Sequence, residues 1–352
     1  MEFSILLVSV FDRYVKAVNR IPRFSNLPFP EQPTIGCYGY NAIPLAIVQG
    51  NASKEHFVPW LCGKVCNCVF MENVAWEEFA LCTNDPSCKE EGILSYTESY
   101  IYLGTIKSMG LDVLNIYKRL IRRGYYFRIC YSSKFIPTKQ ACTNPNLLLD
   151  TILYGYDDDT QKLFLVDYYI NGQFKMYEMS YDDYYHALFN WPEKKITYQV
   201  IWCNPHVSSV GKVKNMIAEF SDYVLSTSSR EPLTQGRTYG IASMEKLKEY
   251  FTCAETPYLD FRYAKAFLEQ KILLSLCVSY LKEQGIIADD CKESIDFLIS
   301  TAKEIYTLCI DRNCEDFHNR KKQICRLFDL LIDEERKCLP RVLNSIDGGI
   351  YA

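Results

Sequence analysis

Three residues in this chain have the type and placement that covalent chemistry asks for: Cys37, Asp150 and Asp167. Cys37 lies in Gly36-Cys37-Tyr38-Gly39-Tyr40-Asn41, after four prolines between Ile21 and Pro33 and ahead of Ile43, Leu45, Ile47 and Val48. The prolines hold the chain extended and forbid helix before the cysteine, and the apolar run after it reads as a helix. Pro44 requires that helix to begin near Asn41 or to bend there. A thiol at a helix N-terminus faces free backbone N–H groups and the positive end of the dipole. Both favour the thiolate, the form that attacks a carbonyl carbon.

The two carboxylates belong to Leu147–Tyr169, which reads as a pair of strands. Thr151–Tyr156 and Leu163–Tyr169 are β-branched, aliphatic and aromatic, and the turn Asp157-Asp158-Asp159-Thr160-Gln161 separates them. Asp150 stands at the start of the first strand, and Asp167 interrupts the second between Val166 and Tyr168. A carboxylate inside an apolar strand is costly unless something pairs with it, so both are candidate catalytic residues. The histidines at 56, 186, 206 and 318 lie away from these motifs in sequence, His186 following the strands most closely. Cys62, Cys66, Cys68, Cys82 and Cys88 form the one cysteine cluster with metal-ligand character. Their spacing is not the paired Cys-x2-Cys of structural zinc sites, and no metal is expected.

The elements that must position these groups divide by periodicity. A helix is expected through Leu111, Leu114, Ile116, Leu120 and Ile121, closed by Arg122-Arg123-Gly124. Residues 54–123 read as mostly helical, Val58–Cys62 and Trp76–Leu81 included. Strands follow at Tyr125–Tyr131, Phe174–Met179 after an Asn171-Gly172 turn, and Thr197–Cys203. Ser180-Tyr181-Asp182-Asp183 reads as a cap for a helix at Tyr184–Phe189. Beyond Asn204 the pattern is helical: Val213 to Val224, Ser243–Phe251, Phe261–Gln284, Ser294–Ile310 and Phe317–Cys338. A short amphipathic helix, or a strand followed by a helix, fits residues 1–20. The expected fold is α+β, with an α/β domain over 1–205 and an all-helical bundle over 206–352.

Leu153-Tyr154-Gly155-Tyr156-Asp157-Asp158, a short turn and a strand ending in an Asp resemble the second half of a papain-like cysteine-peptidase core. The chain is most similar to the butirosin-type branch, which includes acyl and peptidyl transferases of natural-product and nonribosomal peptide assembly. The helical half resembles the bundle of those proteins, and Phe261-Arg262…Phe267-Leu268-Glu269-Gln270-Lys271 is similar to one of its motifs. The resemblance implies a nucleophile at Cys37 and an orienting carboxylate at Asp167; papain-like enzymes keep an oxyanion-hole Gln six residues before the nucleophile, which makes Gln32, five before, a substrate-binding candidate together with Tyr38. It places the catalytic His five residues before the Tyr of Tyr-Gly-Tyr-Asp, and here that position is Leu149. Asp150 beside it is the substitute base that remains.

Losing the imidazole moves the expectation away from peptide hydrolysis. An amide leaving group must be protonated, where general acid–base help is worth about 10²–10⁴-fold; a thiolate leaves unaided. The resemblance then implies an amide-forming acyltransferase, using no ATP at this step. It would take an acyl group from the phosphopantetheine arm of an acyl or peptidyl carrier protein and pass it to a small-molecule amine, with no bound cofactor. Lys118, Arg119, Arg122 and Arg123 would meet the acidic carrier. A cysteine peptidase with a displaced base and an inactive carrier-binding scaffold are the alternatives.

Composition bounds the rest. The net charge is −4 and the pI about 5.7, which argues against a nucleic-acid partner. No run reaches the roughly twenty apolar residues of a membrane span, and no secretory leader is visible. Sixteen cysteines, many inside helix or strand patterns, read as buried free thiols of a reduced, cytoplasmic protein.

Overall fold

The computed structural model describes residues 23–37, 39–72, 77–81, 92–132, 148–168, 174–189, 195–204, 213–230, 236–255, 259–288, 291–311 and 317–350. The architecture is α+β, and its elements gather into two compact units. One comprises Met1–Leu27, Thr97–Asp167 and Met176–Ile201; the other Pro28–Tyr96, Tyr168–Lys175 and Trp202–Ala352. The units interleave in sequence, whereas the reading in chain order divides at residue 205. The N-terminal 20 residues, the Asn171-Gly172 turn and Tyr38 lie outside the described residues.

The first unit holds most of a seven-stranded sheet. Its strands are β1 (Phe24–Asn26), β4 (Leu94–Tyr102), β5 (Tyr125–Ser132), β6 (Leu148–Asp157), β7 (Lys162–Tyr168), β8 (Phe174–Ser180) and β9 (Lys195–Cys203). They run β4-β9-β5-β6-β7-β8. The ten-residue β6 is long enough to take two partners along one edge. Antiparallel β5 covers Leu148–Leu153, and antiparallel β1 covers Gly155–Asp157. On its other edge β7 pairs antiparallel, with a register shift between Leu153 and Gly155. Gly155 is required there for space: a Cβ would stand 2.7 Å from the Phe164 ring and 2.9 Å from the Ser25 carbonyl.

Short α3 (Leu103–Ser108) precedes α4 (Val113–Ile121), which buries Val113, Leu114, Tyr117, Lys118 and Ile121, one stripe at helical spacing. Asp112 caps it by accepting from the Leu114 N–H at 2.9 Å, and Gly124 closes it in the left-handed region at φ 87°. In α5 (Tyr181–Phe189), Ser180 Oγ accepts from the Asp183 N–H at 3.0 Å and donates to its carboxylate at 2.7 Å, as the sequence leads one to expect. Tyr117 and Tyr184 meet through their hydroxyls at 2.9 Å over a core of Phe127, Ile129, Leu153 and Leu165.

The second unit contains α1 (Gly39–Asn51), α2 (Lys54–Val65) and a three-stranded sheet. That sheet runs β10 (Arg237–Tyr239), β2 (Cys68–Glu72), β3 (Glu77–Leu81). The helical expectation for Trp76–Leu81 fails over its described part. Glu77–Leu81 is a strand, paired antiparallel to β2 with Phe70 opposite Phe79. Five more helices follow: α6 (Val213–Leu225), α7 (Gly240–Cys253), α8 (Phe261–Glu283), α9 (Lys292–Ile310) and α10 (Phe317–Ile350). Phe328 of α10 packs on Phe267 of α8 at 4.9 Å between ring centroids and on Phe251 of α7 at 6.0 Å. The core also encloses charge. Lys271 Nζ lies 2.5 Å from Glu335 Oε1 with neither side chain exposed, and 2.8 Å from the Tyr223 hydroxyl. Among the described residues no helix is long and apolar enough to cross a membrane.

Candidate functional site

The segment before Cys37 is held by the helix after it. On α1, Gln49 Oε1 accepts from the Thr34 N–H at 2.9 Å, and its Nε2 donates to the Gln32 carbonyl at 3.4 Å. Gly50 lets the extended chain pass: a Cβ there would stand 2.6 Å from the Pro28 carbonyl oxygen. The helix begins at Gly39, two residues earlier than Asn41, and carries Pro44 in its interior, at the cost of one backbone hydrogen bond. Cys37 therefore sits where the sequence places it, just ahead of a helix N-terminus.

The groups facing Cys37 come from α8. Glu269 Oε1 accepts from the Gly36 N–H at 2.9 Å, and Oε2 accepts from the Cys37 N–H at 3.0 Å. The Cys37 thiol thus stands close to the negative charge of the same carboxylate. A Cβ on Gly36 would stand 3.3 Å from Oε1, pressing the carboxylate back by a few tenths of an ångström. Lys265, one turn earlier on α8, approaches Oε1 at 3.2 Å, and its ammonium lies 5.6 Å from the Tyr306 ring centroid. Cys37 is 4 % exposed and Glu269 2 % exposed. The Lys265 side chain is 22 % exposed, which makes it the more accessible member of the cluster.

This environment reverses the expected state of the thiol. Burial pushes its pKa well above the ordinary value, and the negative charge and hydrogen bond of Glu269 push it further; Lys265 opposes them incompletely. Cys37 rests as a thiol rather than a thiolate. The N–H groups of Gly36 and Cys37, just ahead of α1, are bonded to that carboxylate.

Asp167 lies in the first unit and is 1 % exposed. Its Oδ2 accepts from Thr151 Oγ1 at 2.7 Å, across the pairing of β7 with β6. The backbone of Asp150 pairs with Cys130 of β5. Gln32 is exposed. His56 is exposed and hydrogen-bonds Ser53 Oγ at 2.6 Å. His186 and His318 are exposed on α5 and α10, and His206 is outside the described residues. Of the basic cluster, Lys118 is drawn inward: it pairs with Asp158 and lies 4.5 Å from the Tyr181 ring centroid. Arg122 and Arg123 are exposed.

Among the described residues no group of three or more His, Cys, Asp or Glu side chains is arranged to hold a metal ion. Cys62, Cys66 and Cys68 are buried free thiols. Cys62 Sγ donates to the Leu273 carbonyl at 3.7 Å, and Cys68 Sγ lies 3.2 Å from Ser243 Oγ.

Sequence reasoning did not assign Glu269 a role, although the Phe267–Lys271 run contains the signal. Three consecutive polar residues, Glu269, Gln270 and Lys271, lie on a helix packed on several sides. All three are buried, and each reaches a different partner: the Cys37 backbone, the Cys66 carbonyl at 3.2 Å and Glu335. No protein-family model matches the chain, and no curated protein matches it in sequence.

Proposed function

We propose that the chain is a papain-like acyl or peptidyl transferase whose nucleophile is Cys37. It accepts an acyl group from a carrier-protein thioester and delivers it to an amine, forming an amide without ATP at this step. The observation that carries this reading is the buried Glu269 carboxylate bonded to the backbone N–H of Cys37 just ahead of α1. A thiol beside a proton acceptor is the minimum apparatus of covalent cysteine catalysis. The thioester supplies the free energy of the new bond, so alignment of thiol, carbonyl and amine is what remains for the protein. A protonated resting thiol fits thioester exchange better than amide hydrolysis, because no leaving amine has to be protonated. The proposal assigns no step to Asp150 or Asp167.

The 4 % exposure of Cys37 favours a second reading, in which the same fold only binds the carrier protein. Incubation of the protein with an acyl-loaded carrier protein, followed by intact-mass spectrometry, separates the two. Transfer requires an adduct on the wild-type chain that is absent from Cys37→Ala. Carrier binding with no adduct on either chain leaves the scaffold reading. Release of amine from peptide substrates, lost in Cys37→Ala, would make the protein a peptidase.

A further inference from the structure

We infer that Glu269 is the proton acceptor of Cys37, and that its protonation hands the Gly36 and Cys37 N–H groups to the oxyanion of the reacting carbonyl. The inference rests on the transferase reading and deepens it by naming the residue that takes the place of the missing imidazole.

The argument begins with what the carboxylate holds. Glu269 accepts from two successive backbone N–H groups, at 2.9 and 3.0 Å, the second belonging to the nucleophile itself. Two backbone donors converging beside a nucleophile are the usual material of an oxyanion hole. Here they are closed by a negative charge. That closure is conditional, because hydrogen bonds to an ionised acceptor are roughly twice as strong as those to a neutral one. A proton arriving on Glu269 weakens its hold on both donors at the moment when negative charge appears on the substrate oxygen. Lys265, 3.2 Å from Oε1 and bridging toward the surface, balances the charge while Glu269 is ionised.

The step balances. The S–H bond of Cys37 breaks and its proton passes to a Glu269 oxygen, while sulfur bonds to the thioester carbonyl carbon. The carbonyl π pair moves onto oxygen, where the released N–H groups meet it. Collapse expels the carrier thiolate, which takes the proton back from Glu269, leaving acyl-Cys37 and a free carrier thiol. In the second half the amine attacks acyl-Cys37 and its proton passes through Glu269 to the departing sulfur. Amide and Cys37 thiol are regenerated with no change of oxidation state.

A purely structural role, with Glu269 serving only to satisfy the N–H groups ahead of α1, makes the opposite forecast for one substitution. Glu269→Gln keeps the size and one acceptor oxygen but removes the charge. If the residue is only a cap, losing a negative charge beside the thiol makes the thiolate easier to reach, and Cys37 reacts faster. If it is the base, Cys37 reacts slower. The full-length wild-type, Glu269→Gln and Cys37→Ala chains would be incubated with an acyl N-acetylcysteamine thioester from pH 5 to 9, and Cys37 acylation followed by intact mass. Glu269→Gln is expected to slow acylation about 10²–10⁴-fold at pH 7 and to leave a rate that climbs about tenfold per pH unit. Acylation at the wild-type rate or faster overturns the inference.

A parallel arm with iodoacetamide needs the thiol alone. Slower alkylation in Glu269→Gln supports the base role even where the wild type takes no acyl group, so failure of the transferase reading and failure of this one are distinguishable. Should Glu269→Gln unfold, Glu269→Asp retains the carboxylate one methylene further away. It is expected to keep the wild-type pH profile at a reduced rate, and a profile like that of free cysteine overturns the inference.

Discussion

Replacing Lys271 by Met tests whether the charge inside the helical unit is bound as a closed set. Lys271 Nζ is 2.5 Å from Glu335 Oε1, 2.8 Å from the Tyr223 hydroxyl and 4.6 Å from the Phe267 ring centroid. The Tyr223 hydroxyl is 2.9 Å from both Glu335 oxygens. Burial and the neighbouring carboxylate hold the Tyr223 phenol protonated, well above its ordinary pKa, so it serves as a donor at any physiological pH. Lys271→Met fills nearly the same volume but leaves Glu335 with one neutral donor and no opposing charge. Removing one partner of a buried pair costs about 3–5 kcal/mol, or a fall in melting temperature of roughly 6–20 °C for a unit of this size. Urea unfolding followed by far-UV circular dichroism reads it out, with an unchanged m-value marking a native-state effect. Lys271→Met, Glu335→Leu and Tyr223→Phe together remove every member of the set and should return to within about 1–2 kcal/mol of the wild type. A single-variant loss below about 1 kcal/mol, or a triple variant as unstable as the single, would refute the reasoning.

Gly155→Ala should destabilise the first unit by about 1–3 kcal/mol, because the methyl meets Phe164 and the Ser25 carbonyl inside contact distance; thermal unfolding of the variant measures it. Glu219 gives a pH dependence. Burial lifts its pKa from 4.5 to about 7, outweighing the Arg230 guanidinium 2.8 Å away. The folded state binds this proton more tightly than the unfolded one, so its contribution is fully present below pH 4.5 and is lost as pH rises through about 7. Glu219→Gln should therefore flatten a decline of roughly 3 kcal/mol in unfolding free energy across that window; an unaltered slope in urea melts at pH 5 and pH 8 contradicts it. Thiol labelling of the native protein should modify Cys253 first and Cys291 and Cys325 next. The seven buried thiols on the described chain other than Cys37 should react only on denaturation.

Much of the fold is legible where a signal is local. Asp112 and Ser180 cap their helices through atoms two and three residues away. The aromatic and aliphatic run around Gly155 becomes β6, and the long stripes beyond residue 213 become helices with boundaries close to those expected, except that the last runs on past Cys338 to Ile350. What fails depends on partners distant in sequence. Glu77–Leu81 is a strand because Cys68–Glu72 lies beside it, and β10 joins that sheet from more than 160 positions downstream. The candidate site divides the same way. Cys37 was legible from the prolines before it and the apolar run after it. The state of its thiol was not, because the group that sets it is Glu269, 232 residues away. Lys118 illustrates the reverse error. It reads as part of an exposed basic cluster until Asp158 and Tyr181 take it up.

The bonds from Glu269 to the backbone at 36 and 37 also set a schedule for biosynthesis. Residues 36 and 37 leave the ribosome 233 and 232 positions ahead of their partner. At synthesis rates of roughly 5–20 residues per second, that gap is on the order of 10–50 s. Throughout that interval the cysteine is an ordinary nascent-chain thiol, without the burial that later encloses it. Its protection from alkylation or oxidation begins only when α8 arrives, so damage at this position would be inflicted mainly on unfinished chains.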